Sequence, residues 1–378
     1  MSDSFHIPTS FRRTTAFIAS MFLALGAAVS SEPVQTADLS GTWDFDPNDG
    51  PATSIEVPGG GWYKQGFTNT NEADYERTIS VPDIGQPQVT KLKFGAVNYQ
   101  ADLYIDEVFV GSSTQSHTAA TFDITDHVTP GNSHAVRLHV KGHGALLNEF
   151  FQSLVPNGAR SWANFLPQGI FRSAELLVYP QVHIEDVFVK TSVENTSLSY
   201  DVWLRNDSAS AANVTLAGNL TSWNGDAWSY PSLPSQAVSI AAGSVTKVTI
   251  GPVNWNLGTA SYWWPNVPYQ AGYTAKLHDL DVTITGDGTH STSVRFGFRE
   301  CRQVSPDANH TIYTLNGVRV NFRGDSLQGA NYDRINNGGL GDAFSTLPGF
   351  LPPSPGNPGW PKAVDNYQRL NYNVVRIH

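Results

Sequence analysis

The chain has 378 residues, of which 40% are hydrophobic and 15% are charged, and its formal net charge is −10. This length favours two or three domains, and the negative charge argues against nucleic acid as a partner, because phosphate binding requires basic surface. Sparse charge with 33 Gly and 23 Pro favours a β-rich chain with many turns.

The first 30 residues have the pattern of a secretory signal peptide. Arg12 and Arg13 precede an uncharged, largely apolar run from Thr14 to Val29, and Ala28-Val29-Ser30 supplies a small-x-small cleavage pattern. We therefore expect a secreted or periplasmic protein, with cleavage near Ser30 and no membrane attachment afterwards. An uncleaved anchor is the alternative, although the apolar run is short for a membrane span.

The sequence offers no pattern for a disulfide, a metal or a cofactor. Cys301 is the single cysteine, so no intrachain disulfide forms, and we expect its side chain to be buried. The histidines are scattered without metal-ligand spacing. We expect neither a metal site nor a cofactor.

Residues 31–180 show short runs in which apolar and polar residues alternate. Lys91–Gly95, Ala101–Ile105 and Ala135–Val140 follow this pattern, and the last run places Ala, Arg and His on one face. Asp106-Glu107 separates two such runs, as in a hairpin. Alternation at this spacing without a helical period predicts a β-sandwich or a jelly roll.

Residues 181–299 form a second predicted β domain, after a linker near Tyr179-Pro180. A span of this size with several alternating strands fits an immunoglobulin-like sandwich, an architecture that also occurs without a disulfide. The clearest candidate strands are Val187–Val193, Leu198–Leu204, Val245–Ile250 and Leu280–Ile284.

The residue pattern changes from Glu300 onwards. Asn316-Gly317 predicts a hairpin turn, and the Gly/Pro-rich stretch 336–361 suggests an active-site loop or lid. Ala363–Leu370 then predicts a short helix and Asn373–His378 a buried strand. Strand, loop, helix and strand make a βαβ unit, so residues 300–378 are expected to be the incomplete start of a TIM (β/α)8 barrel.

Several segments carry a family resemblance, and they occur in the family's order along the chain. The resemblance is to glycoside hydrolase family 2, the group of exo-acting β-galactosidases, β-glucuronidases and β-mannosidases. The matching segments are Leu39–Trp43, Val57-Pro58 with Gly61-Trp62, Leu92–Val140, Gly169-Ile-Phe-Arg172, Trp263–Tyr269, Phe296–Arg299, Leu315–Gly324 and Asn371–Arg376.

The resemblance implies a fold and an activity. The fold is mainly β: a jelly-roll sugar-binding domain over 31–180, an immunoglobulin-like sandwich over 181–299, and the truncated barrel over 300–378. The activity is retaining hydrolysis of terminal β-linked sugars, with a carbohydrate as the partner. The family's two catalytic glutamates lie on later barrel strands, so we expect none within this chain and expect the chain alone to be inactive.

Three residues near the predicted barrel strands are candidates for substrate binding. Asp325 lies at the end of the first strand, where barrel residues contact substrate, and either sugar binding or a structural hydrogen bond suits it. Arg376 lies on the second strand and is expected to orient the nucleophile in the intact enzyme, or else to pair with a buried carboxylate. His378 is expected to contribute to a sugar subsite.

The sequence departs from the family pattern in places, and two other functions stay open. Asp325 follows Arg323-Gly324 where the family often has Asn, and residues 160–168 lack the acidic residue of galactosidases, which counts against galactose as substrate. One alternative is a non-catalytic carbohydrate-binding or adhesion protein of two β-sandwiches. The other is a naturally truncated pseudoenzyme used as a scaffold, although the chain ends inside an apolar strand, which favours continuation beyond His378.

Overall fold

The computed structural model describes residues 29–30, 32–115, 118–148, 168–307, 309–327 and 367–377. Within these residues β-strands dominate and helices are few, so the expectation of a mainly β fold is confirmed. The part of the predicted signal peptide up to residue 28, the stretch 336–361 and His378 lie outside the described residues.

Among the described residues before Val182 there are thirteen strands and one short α-helix, besides two 3-10 turns. In chain order they are β1 (Val29–Ser30), β2 (Gln35–Asp38), β3 (Gly41–Pro47), β4 (Thr53–Val57), β5 (Glu72–Ser80), β6 (Gln88–Phe94), β7 (Val97–Asn98), β8 (Gln100–Ile105), β9 (Val108–Ser113), β10 (Ala120–Asp123), β11 (Ser133–Lys141), α1 (His143–Asn148), β12 (Gly169–Ile170) and β13 (Ala174–Pro180).

Most of these strands form a two-sheet sandwich, called here the first sandwich. A six-stranded sheet has the order β4-β3-β5-β11-β8-β9, and a four-stranded sheet has the order β10-β6-β13-β2. Side chains alternate between core and surface with the period of two that strands impose. The core includes Trp43, Phe45, Tyr75 and Phe94, each at most 1% exposed, and burial of one such side chain is worth about 1.5–3 kcal/mol.

The predicted strands of the first sandwich are confirmed in place and in facing. In β11, Val136, Leu138 and Val140 are buried, while Arg137 and His139 lie on the outer face. The predicted hairpin turns at Asp106-Glu107, where both residues have positive φ (47° and 66°), as a two-residue type I′ turn requires.

A second sandwich follows directly from β13. Its strands are β14 (Val182–Ser192), β15 (Ser197–Asn206), β16 (Ala212–Ser222), β17 (Gln236–Ile240), β18 (Ser244–Asn254), β19 (His278–Gly286) and β20 (His290–Phe296). One sheet has the order β1-β14-β15-β18 and the other β17-β16-β19-β20. Their shared core includes Tyr200 and the rings of Trp255 and Phe298, which stack with centroids 4.4 Å apart.

The last strands form two small sheets. They are β21 (Cys301–Asp307), β22 (His310–Leu315), β23 (Val318–Val320), β24 (Gly324–Leu327) and β25 (Val374–Ile377). Strands β21, β22 and β23 make an antiparallel sheet, whereas β24 and β25 pair in parallel. The predicted turn at Asn316-Gly317 is confirmed, with φ of 51° and 80°, and residues 367–369 of the predicted helix are helical.

Two burial expectations are wrong. Cys301 is exposed. It lies on β21, where nearly every side chain is exposed, so neither face of this three-stranded sheet is covered along that strand. Val374, at the start of the strand expected to be buried, is 42% exposed, because β25 pairs with β24 in a sheet of two strands. The jelly-roll, immunoglobulin-like and barrel assignments, and the boundaries at 30, 180 and 299, stay predictions.

Candidate functional site

The parallel pair β24–β25 carries two of the three candidate substrate-binding residues. Asp325 pairs with Val375 and Arg376 pairs with Ser326, so Asp325 and Arg376 lie on neighbouring strands one register step apart. Only the backbone is described at Asp325 and Arg376, and His378 lies outside the described residues. Their roles in sugar binding therefore stay predictions.

Asn373 fixes the register of this parallel pair. Its Oδ1 accepts a hydrogen bond from the Arg323 backbone N–H at 2.8 Å, and its Nδ2 donates to the Asn321 carbonyl at 2.9 Å. Its own backbone N–H donates to the Arg323 carbonyl at 2.9 Å. One side-chain amide thus binds the segment that enters β24 and holds β25 beside it.

Asn371 joins the parallel pair to the second sandwich. Its Oδ1 accepts a hydrogen bond from the Tyr269 backbone N–H at 2.7 Å, across 102 residues of chain. Its φ of 56° lies in the left-handed region, which asparagine adopts more readily than most residues. The segment Asn371–Arg376 therefore contacts the segment Trp263–Tyr269, and both were singled out by sequence.

Asn316 makes an equivalent link at the hairpin between β22 and β23. Its Oδ1 accepts from the Glu300 N–H at 2.9 Å, and its Nδ2 donates to the Trp263 carbonyl at 2.9 Å. Its backbone N–H donates to the Glu300 carbonyl at 2.8 Å. This asparagine therefore connects the hairpin, the junction at Glu300 and the second sandwich.

Aromatic packing completes this junction. The Arg299 guanidinium lies 4.5 Å from the centre of the Trp263 ring, a cation–π contact. A Cβ on Gly297 would lie 2.6 Å from the Trp263 Cβ, so Phe296-Gly-Phe-Arg299 needs glycine for close approach. The signature segments together form a structural junction that positions β24 and β25.

Glu300, the residue before β21, caps a turn of the second sandwich. Its Oε2 accepts from the Glu194 N–H at 2.8 Å and from Ser192 Oγ at 3.2 Å, and its Oε1 lies 3.1 Å from Arg302 Nε. The carboxylate closes the turn between β14 and β15, so this contact set is structural.

A second polar region lies on the outer face of the first sandwich, and sequence reasoning did not single it out as a site. A cleft of about 160 Å³ is lined by Asp46, Pro47, Asn48, Glu72, Ala73, Asp74 and His139. Its chemistry centres on one pair, since His139 Nδ1 lies 2.9 Å from Asp74 Oδ1. The alternation in β11 signalled an outward-facing His139, whereas its partner on β5 is set by cross-strand register.

His139 and Asp74 each shift the pKa of the other in the direction that favours its charged form. The hydrogen bond to Asp74 raises the pKa of His139 against the opposing effect of burial. Burial by itself raises the pKa of Asp74, but the hydrogen bond and charge of His139, with help from Arg137 at 3.6 Å, leave that pKa below its ordinary value. An ion pair in a small polar cleft suits hydrogen bonding to hydroxyl groups.

In the part of the chain that the structure describes, no group of three or more His, Cys, Asp or Glu side chains is arranged to hold a metal ion. The described helices include none with the length and apolar character of a membrane span.

Comparison with known proteins gives consistent matches. Residues 182–299 match the family model for glycosyl hydrolases family 2. The chain is 25% identical over 268 residues to a β-galactosidase of Arthrobacter sp. (strain B7), covering 69% of this chain and 21% of that protein. It is 27% identical over 288 residues to an exo-β-D-glucosaminidase of Amycolatopsis orientalis, covering 72% of this chain and 24% of that protein.

A solved structure shows the same fold. The β-glucuronidase of Bacteroides uniformis superposes with a TM-score of 0.59 at 18% identity, over 77% of this chain and 35% of that chain. The chain spans only about a fifth to a quarter of the length of the two curated relatives. The family-model match over the second sandwich and the relatives together support the resemblance to glycoside hydrolase family 2, and the solved structure shows the shared fold.

Proposed function

We propose that this chain is the N-terminal part of a secreted, retaining exo-β-glycosidase that hydrolyses terminal β-linked sugars of oligo- or polysaccharides. The observation that carries the proposal is the parallel pair β24–β25, held against the second sandwich through Asn316 and Asn371. Parallel strands joined by a helix-containing connection are how a (β/α)8 barrel begins. The match to a family of glycoside hydrolases supplies the reaction class.

Retention requires two carboxyl groups about 5–5.5 Å apart. One attacks the anomeric carbon and forms a glycosyl-enzyme, while the other protonates the leaving oxygen and later activates water. We assign neither role to a residue of this chain. The sequence placed Asp325 at the end of the first strand, but it is the second residue of β24. Within the proposal Arg376, on β25, and His378, which follows that strand in the sequence, orient the nucleophile or contact the sugar, and Asp325 keeps sugar binding and a structural hydrogen bond as its two candidate roles.

On this proposal the two sandwiches contribute to catalysis by positioning strands β24 and β25. Placing reacting groups correctly is worth several kcal/mol of barrier, and the amides of Asn316, Asn371 and Asn373 fix where β24 and β25 lie. The chain ending at His378 is therefore expected to be inactive by itself. The identity of the sugar stays open, since the relatives' names span galactosidase and glucosaminidase activities.

The proposal is tested with two proteins, the present chain and a longer product of the coding region that continues beyond His378. Both are assayed against aryl β-galactoside, β-glucuronide, β-mannoside and β-glucosaminide. We expect the longer protein to hydrolyse at least one of them with retained anomeric configuration, and the present chain to hydrolyse none. Hydrolysis by the present chain, or inversion by the longer one, would contradict the proposal.

A substitution in the longer protein tests the role of the junction. Asn371→Ala removes the acceptor for the Tyr269 N–H, so we expect a lower kcat with a smaller change in KM. Asn213→Ala, on the exposed face of β16, is the matched control and should leave both unchanged. Equal kinetics for the two variants would show that the junction does not position the site.

Carbohydrate binding without catalysis is a second candidate, which the polar cleft on the first sandwich favours. The present chain is titrated with soluble oligosaccharides and followed by NMR. Shifts centred on His139 that disappear in Asp74→Asn would support binding in the cleft, and persistence of those shifts in the variant would count against it.

A further inference from the structure

The N-terminal segment of the described chain crosses from one sandwich to the other. Strand β1 pairs with β14 of the second sandwich, with Val29 opposite Val187 and Ser30 opposite Asp186. Strand β2, only a few residues later, pairs with β13 of the first sandwich, with Asp38 opposite Glu175. We call residues 29–30 and 32–38 the strap, because two different sheets hold its two ends.

The middle of the strap is held by specific hydrogen bonds. The Glu32 N–H donates to Thr292 Oγ1 at 3.1 Å, and the Glu32 carbonyl lies 2.8 Å from His290 Nε2. His290 Nδ1 accepts from the Ile184 N–H at 3.1 Å, which places the ring proton on Nε2 and makes it the donor to Glu32. The Val34 N–H donates to the Val178 carbonyl at 2.9 Å.

The strap lies over the connection between the sandwiches. Beneath it the rings of His290 and His183 lie 6.1 Å apart, and His183 stacks on Tyr179 at 5.0 Å. His183 Nδ1 lies 2.9 Å from the Pro180 carbonyl. Tyr179 and Pro180 end β13 one residue before β14 begins, so the contact of Glu32 with His290 links the strap to the ring cluster at this connection.

The strap begins inside the predicted signal peptide. Cleavage after Ser30 would remove both residues of β1 and leave the Asp186-Val187 backbone of β14 at an uncovered sheet edge, where unpaired N–H and C=O groups invite association. Gly26-Ala27-Ala28, two residues upstream, also has small residues at the first and third positions and suits the same kind of peptidase.

We propose that the strap is retained in the mature protein as a clamp between the sandwiches, and that the leader is removed between Ala28 and Val29. The processing step is peptide-bond hydrolysis: water adds across the Ala28–Val29 bond and gives a new carboxylate and a new amino group. The position of cleavage rests on the secretion in the proposed function, whereas the clamp does not.

The cleavage position is tested by expressing the whole chain with its own leader in an exporting host and determining the first residue of the exported protein. We expect Val29. A protein that begins at Ser31 or later, or that retains Met1, overturns the processing proposal. Because glycoside hydrolysis is measured separately on the longer protein, failure here is distinguishable from failure of the proposed reaction.

The clamp is tested by hydrogen exchange followed by mass spectrometry, using peptides that cover residues 181–190, where the Ile184 N–H is held by His290. The Thr292→Val variant removes the acceptor for Glu32 while keeping side-chain shape, and Ser291→Ala, an exposed position on the same strand, is the matched control. We expect exchange in these peptides to be several-fold faster in Thr292→Val and unchanged in Ser291→Ala. A chain beginning at Leu39 lacks the strap and should exchange at least tenfold faster there.

Equal exchange rates in these peptides for the unmodified chain, Thr292→Val and the strapless chain overturn the clamp. Each sandwich has its own buried core, so loss of the strap should open the connection while leaving both cores folded. If the strapless chain does not fold, the comparison between Thr292→Val and Ser291→Ala still decides.

Discussion

Replacement of Asn316 provides a quantitative test of the junction that positions β24 and β25. Asn316→Ala removes two side-chain hydrogen bonds, to the Glu300 N–H and the Trp263 carbonyl, worth about 0.5–1.5 kcal/mol each. It also places alanine at a φ of 51°, which costs about 1–2 kcal/mol. Asn316→Gly loses the same hydrogen bonds without this backbone cost.

The two substitutions therefore differ by a predictable amount. We expect the alanine variant to destabilise the β21–β23 sheet by about 3 kcal/mol and the glycine variant by about 2 kcal/mol, estimated from the same two contributions. Since about 1.4 kcal/mol is a factor of ten, amide exchange in this sheet should rise about 100-fold for alanine and about 30-fold for glycine.

Hydrogen exchange followed by mass spectrometry measures the loss of stability in the β21–β23 sheet itself. A single melting temperature does not isolate one sheet of a multidomain chain. Peptides covering 299–320 should exchange faster in both variants, while peptides of the first sandwich stay unchanged. Equal exchange in glycine and alanine variants would refute the backbone argument, and unchanged exchange in both would refute the junction itself.

Three further predictions follow from single contacts. Burial lowers the pKa of His183 to about 3, so the unfolded chain binds more protons than the folded chain between about pH 6.5 and pH 3. The free energy of unfolding should therefore decrease as the pH is lowered through that window, by at most about 1.4 kcal/mol per pH unit for this group. Melting temperatures measured from pH 7 to pH 4.5 should depend less on pH in His183→Gln, and identical slopes would contradict this. Asp74→Asn should lower the pKa of His139 in an NMR titration, because the Asp74 hydrogen bond raises it, whereas Glu107→Gln should not. Gly169→Ala should destabilise the first sandwich strongly, because the added Cβ would collide with Tyr75 Oη and Trp62 Nε1, at a φ of 78°. Gly66→Ala is the control: its φ is 91° but the space around it is open, so it should cost only about 1–2 kcal/mol of backbone strain. Similar melting temperatures for the two variants would contradict the steric argument.

Local patterns in the sequence predicted much of the strand structure, because alternation and turn residues are properties of short segments. The facing of Arg137 and His139 in β11 and the turns at Asp106-Glu107 and Asn316-Gly317 follow from such patterns. The exposure of Cys301 did not, because burial depends on how many strands cover a sheet, and β21 lies in a sheet of three.

A single sequence did not reveal which residues far apart in the chain contact each other. Asn371 and Tyr269 are 102 residues apart, and Asp74 and His139 meet only through the register between β5 and β11. Asn371 was quoted within a signature segment, but nothing in its neighbours shows that its side chain binds the Tyr269 backbone. Sequence thus identified the segments of the junction and left their contacts to the structure.

The nucleotide sequence immediately downstream of the His378 codon decides whether β24 and β25 belong to a complete barrel. We expect an open reading frame of several hundred codons that encodes further strand–helix units of the barrel and two glutamates at the ends of later strands. A stop codon directly after His378 would contradict it, and carbohydrate binding by the two sandwiches would then be the function to test.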